Sequence, residues 1–115
     1  MDYAKMLALL LAAHALCDYP LQGDFLAKAK NPAQPIPGVP WWCAMAAHCA
    51  IHAGAVLLVT SSMVAACFEF ALHWMVDIEK CWGRISFATD QASHVACKVA
   101  YVVILALTAS GGGAQ

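Results

Sequence analysis

Apolar residues dominate four stretches of the chain, at about residues 3–19, 41–59, 63–78 and 88–108. Each stretch is interrupted by a polar pair at fixed spacing: His14 with Asp18, His48 with His52, His73 with Asp77, and Asp90 with His94. Residues i and i+4 lie one above the other on an α-helix, so each pair marks a single stripe of a single helix. The pattern predicts an all-α fold, a four-helix transmembrane bundle of up-down connectivity. A span takes about 20 residues, which leaves the first and third stretches at the short end.

The connections support that division. Pro20 closes the first stretch, because a proline disfavours helix in the residue before it. Thr60-Ser61-Ser62 forms a polar turn between the second and third. Residues 22–30 read as a short interfacial helix, with Asp24 as its cap, Phe25 and Leu26 dipping into lipid, and Lys28 and Lys30 facing water or headgroups. Residues 31–40 carry four prolines and a glycine and read as an extended loop. Trp41, Trp42 and Trp82 stand where an aromatic belt belongs. The domain is expected to cover residues 1–110, with 111–115 as a flexible tail. The N-terminus imitates a signal peptide, with Lys5 before an apolar run and Ala13-His14-Ala15 as a cleavage-like site. Asp2 offsets that lysine, however, and cleavage would disrupt the first polar pair, so the stretch is read as a retained span.

Composition agrees with a membrane protein. The chain is 63% hydrophobic and 11% charged, against about 45–50% and 25% in soluble domains. A net charge of −1 without a basic run argues against a nucleic-acid partner. The six cysteines include no C-x-x-C and read as small apolar packing residues. Lys28, Lys30, Lys80 and Arg84 fall in the first and third loops, which the positive-inside rule places in the cytoplasm, with both termini outside.

The polar pairs share one depth. His14/Asp18 end the first span, His73/Asp77 end the third, and Asp90/His94 open the fourth, all at the face of the first and third loops. His48 and His52 lie roughly 10 and 16 Å below that face, at 1.5 Å per residue. Ionisable groups in a membrane are costly and point to function. Imidazole and carboxylate suit zinc, iron or manganese, with zinc first. The expected ligands are His14, His48, His52, His73, Asp77 and His94. Asp18 and Asp90 are set aside for catalysis as orienter or base, while Gln22, Lys80 and Gln91 could contact substrate or ligands. Eight ligands on two tetrahedral zincs would leave no open position, so the eight cannot play equal parts. Glu69 and Lys98, both deep, are expected to pair with each other. No Ser-His-Asp order, P-loop or dinucleotide motif is present.

In order, the motifs are His14-x3-Asp18-x2-Leu21-Gln22, His48-x3-His52, His73-x3-Asp77-x2-Lys80 and Asp90-Gln91-x2-His94. This set resembles an uncharacterised family of small integral-membrane proteins of bacteria and their phages, over roughly residues 8–105. The resemblance implies a bacterial inner-membrane location and an important polar set, but no reaction. A looser likeness is to membrane-bound metal-dependent hydrolases. Three functions follow as expectations. The first is a metal-dependent hydrolase of a lipid-like substrate. The second is an ion or proton transport subunit, which at this length would need a homo-oligomer. The third is a non-catalytic membrane factor with a structural polar core.

Overall fold

The computed structural model describes residues 2–112. They form five α-helices and, among the described residues, no strand: α1 (Tyr3–Asp18), α2 (Gly23–Ala29), α3 (Trp41–Thr60), α4 (Met63–Cys81) and α5 (Phe87–Gly111). The long helices pack in a closed ring, α1 on α3, α3 on α4, α4 on α5 and α5 on α1, while α2 lies against α3. The molecule measures 57 × 24 × 22 Å.

Short polar side chains set the helix ends. Asp2 caps α1 by accepting from the Lys5 amide at 3.0 Å. Ser62 and Ser86 do the same for α4 and α5, from the amides of Ala65 and Thr89. The α3–α4 turn is tight because Ser61 takes a left-handed conformation (φ 55°) and Thr60 Oγ1 accepts from the Ser62 amide. Gly83, at φ 70°, turns the chain after α4 and lets that helix run beyond residue 78. In α2, Asp24 lies in the first turn and is not the cap. The cap position belongs to Gln22, whose side chain makes no capping bond. Of the tail expected at 111–115, Gly111 ends α5 and Gly112 caps it, and residues 113–115 lie outside the described part.

Polarity is arranged inside out. The buried set includes His14, His48, His52, His73, His94, Glu69, Asp77, Asp90, Lys30 and Lys98. Exposed instead are Leu58, Leu107, Val64, Phe68, Phe25 and Met75. Water would favour the reverse arrangement. Two helices, α3 and α5, are long and apolar enough to cross a membrane, whereas α1 and α2 pass together but bend by 81° at their break. The sequence predicts four spans, and the other two helices fall short for separate reasons. The 16 residues of α1 rise only about 24 Å at 1.5 Å each, less than the roughly 30 Å of hydrocarbon. In α4, the inward face carries Glu69, His73 and Asp77 and lowers the average hydropathy, although Val64, Phe68 and Met75 face outward.

Each long helix changes character at one level. Reading away from the face of the first and third loops, the buried ladder of α1 passes from His14 to Leu10 and Met6. That of α3 passes from His48 and His52 to Val56, that of α4 from Asp77, His73 and Glu69 to Ala65, and that of α5 from Asp90, His94 and Lys98 to Val102. The apolar rungs Met6, Leu10, Val56, Ala65, Tyr101 and Val102 form one cluster that fills the far half. The polar rungs share the near half with Cys17, Ala44, Met45 and Cys49.

Candidate metal centre

All five imidazoles gather in the near half. The His52 and His73 rings stack with centroids 3.7 Å apart, and His73 stacks on His94 at 4.1 Å. His48 meets both His52 and His73 edge-on, at 4.7 and 4.9 Å, and His14 lies 5.0 Å from His94. The i,i+4 stripes of four helices thus face one another.

Within this cluster, Asp18, His48, His52 and His73 each offer one ligand atom, all mutually within 4.8 Å. Asp18 Oδ1 lies 3.0 Å from His52 Nε2, 3.4 Å from His48 Nε2 and 3.9 Å from His73 Nε2. The Nε2 atoms of His48 and His73 are 3.0 Å apart. Four ligands at the zinc distance of about 2.0–2.1 Å in a tetrahedron stand about 3.3 Å from one another, so these spacings fit the edges of such a site.

Glu69 supports the cluster from beneath. Its Oε1 lies 3.4 Å from His73 Nδ1 and 3.8 Å from His52 Nδ1. Metal-bound histidines usually donate their second N–H to a carboxylate, which fixes the tautomer and turns the other nitrogen's lone pair toward the ion. With a proton on His73 Nδ1 facing Glu69, His73 Nε2 is a lone-pair donor. Glu69 is held in turn by Lys98 Nζ at 2.5 Å, the pairing the sequence predicts, and by the Tyr101 hydroxyl, which donates to Oε2 at 3.0 Å.

A second group, Asp18, Asp90 and His94, also has ligand atoms within 4.8 Å of one another. His94 Nε2 is 3.3 Å from Asp90 Oδ1. Gln91 ties the carboxylates together, donating from Nε2 to Asp18 Oδ2 at 2.9 Å and to Asp90 Oδ2 at 3.0 Å. Above this group opens a cavity of about 130 Å³ lined by Asp18, Gln22, Lys80, Asp90, Gln91 and His94 among others. Lys80 sits at its rim, 3.4 Å from Asp90 Oδ2 and 5.1 Å above the Phe87 ring. Gln22 donates to the Asp18 backbone carbonyl at 3.1 Å.

Two residues expected among the ligands stand outside both groups. His14 Nε2 lies 3.3 Å from Gln91 Oε1 and 3.3 Å from Asp18 Oδ2. An imidazole N–H there orients the amide and the outer oxygen of Asp18. Asp77 is occupied by Lys30, whose ammonium donates to its Oδ2. Lys30 is 5% exposed, so it does not face water or headgroups as the sequence reading expects; only Lys28 is exposed. The reason is electrostatic: a carboxylate this deeply buried needs a cation, and α2 delivers one.

Glu69 as a partner of the histidines was missed, although its signal was present, since Glu69 and His73 are themselves four residues apart. Lys30 gave no comparable signal, because its reach to Asp77 depends on how α2 folds back onto α3. The cysteines form no disulfide, and Cys17 and Cys49 are buried packing residues. No curated protein and no solved structure matches the chain. Residues 6–111, and with them every residue of both candidate groups, match the family described as Protein of unknown function (DUF3307), and the chain belongs to that family.

Proposed function

We propose that this is an integral membrane protein, a four-helix transmembrane bundle of the bacterial inner membrane, with an intramembrane metal centre near the cytoplasmic face. His48, His52, His73 and Asp18 hold the ion. Zinc is the best match for three imidazoles and one carboxylate, ahead of iron or manganese. The observation that carries this reading is the convergence of one Asp18 oxygen and three Nε2 atoms, with Glu69 behind two of the rings. The lipid-facing exterior supports the location, and the wide bend between α1 and α2 supports α2 as an interfacial helix.

Hydrolysis of a lipid-like ester, phosphoester or amide is the activity that suits such a centre at headgroup depth. A divalent ion with an open coordination position would lower the pKa of a bound water and polarise the scissile group. The chain's own groups supply the rest. Asp90 and His94 flank the cavity, Lys80 and Gln22 contact the substrate's polar head, and His14 and Gln91 hold the Asp18 carboxylate in register. Conduction through a single chain is disfavoured because the apolar cluster from Met6 to Val102 fills the far half.

Elemental analysis of gently solubilised protein tests the proposal. At least one transition-metal ion per chain is expected, with loss of metal and of hydrolytic activity in His52→Ala. Metal-free protein of full stability would sink it.

A further inference from the structure

Asp18 has two oxygens, and they face different groups. Oδ1 points to the three-histidine cluster, while Oδ2 accepts from Gln91 on the side of Asp90. Asp90 is 1% exposed, and its Oδ1 has no hydrogen-bond partner although it lies 3.3 Å from His94 Nε2. Gln91 and Lys80 account for its other oxygen only. A buried carboxylate oxygen without a donor is costly and calls for a cation. An imidazole nitrogen 3.3 Å away is spaced as a neighbouring ligand on one ion would be.

The geometry points to a second divalent cation held by Asp18, Asp90 and His94, with Asp18 bridging it to the first ion and the second ion carrying the reactive water. This rests on the metal centre proposed above and extends it. The first ion has four protein ligands and is therefore closed, the arrangement of structural zinc; the second has three, the arrangement of catalytic sites. The cavity agrees. Asp18, Asp90 and His94 line it, whereas His48, His52 and His73 do not. At about 30 Å³ per water, its roughly 130 Å³ admits a few waters or one headgroup-sized oxyanion. Two carboxylates and one imidazole make a harder donor set than three imidazoles and one carboxylate, which favours manganese or iron at the second position. The ligand-count difficulty disappears as well. His14 and Asp77 are engaged elsewhere, Asp18 is shared, and an open position remains.

The test loads the full-length protein, in detergent or nanodiscs, with Mn(II) and measures bound metal and the electron paramagnetic resonance spectrum. Two ions per chain and a spin-coupled spectrum are expected for the wild type, since a bridging carboxylate couples the two spins. Asp90→Asn and His94→Gln, which preserve side-chain shape, should each halve the bound metal and leave the hyperfine-split spectrum of an isolated ion. One ion in the wild type, unaffected by either substitution, overturns the second site and leaves the first standing. No bound ion overturns both. The wild-type spectrum decides the matter even if a variant fails to fold.

Discussion

Glu69 touches four side chains with two oxygens: Lys98, Tyr101, His73 and His52. Its charge keeps Lys98 from being an unpaired buried cation and faces the Nδ1 atoms of two imidazoles, at 3.4 and 3.8 Å. Glu69→Gln should therefore lower metal affinity by about 10–100-fold, the usual effect of losing a partner behind a ligand. Competition with a chromophoric chelator reads that change. The double variant Glu69→Gln/Lys98→Met separates the two duties, since it removes the stranded cation and should restore stability but not affinity. Asp77 Oδ2 meets the Lys30 ammonium and lies 3.6 Å from His48 Nε2. Asp77→Asn strands the Lys30 ammonium and should cost about 3–5 kcal/mol. Lys30→Met/Asp77→Leu should recover most of it in a thermal melt, because a well-packed apolar pair can replace a buried ion pair without loss. If the single and double variants melt alike, the pair carries no such burden. These residues also show how far the sequence could be read. The Glu69–His73 spacing was visible. The Lys30–Asp77 contact depended on a long-range fold-back that no local period encodes.

At the scale of elements, hydropathy and spacing each predicted a different property. The apolar stretches located every long helix and the i,i+4 pairs the face each turns inward, while in the structure the capping serines and Gly83 set the ends. Hydropathy failed at α4 because the average mixes a charged inner face with an apolar outer one. It was ambiguous at α1 because that helix is short and continues, after a sharp bend, into α2. The proposed up-down connectivity through a bilayer has a direct consequence. The Ser61 turn and the Gly38 loop lie at opposite ends of α3, so they should lie on opposite sides of the membrane. An epitope inserted after Ser61 should be labelled on intact spheroplasts, and one inserted after Gly38 only once the membrane is permeabilised. Equal labelling of both in intact cells would refute α3 as a complete span.

For the whole molecule, the decisive fact is that the buried histidines and charged groups all lie in one half, beside Cys17, Ala44, Met45 and Cys49, while the other half is apolar apart from Thr60 and the Tyr101 hydroxyl. The apolar half packs like any helical core. The polar half gathers five imidazoles and the Asp18 and Asp90 carboxylates, with ring centroids as close as 3.7 Å, a costly arrangement unless something binds there. A structural polar core and a metal centre differ in where that cost is offset. In a structural core, hydrogen bonds do it, yet Asp90 Oδ1, in the second group, is buried without a partner. In a metal centre the ion does it, and stability then depends on free metal concentration. An ion present at 100 times its dissociation constant contributes about 2.7 kcal/mol, which for a chain of this size is a shift in Tm of roughly 10 °C. A strong chelator should therefore lower the Tm of the wild type by about that amount, and added Zn(II) should restore it. In His48→Asn/His52→Asn the four-ligand ion has lost two of its protein ligands, so the Tm should start low and should respond to chelator and zinc much less than that of the wild type. If chelation leaves the wild type unmoved while the double variant is still destabilised, the histidines hold the helices together by hydrogen bonds alone, and the metal centre is wrong.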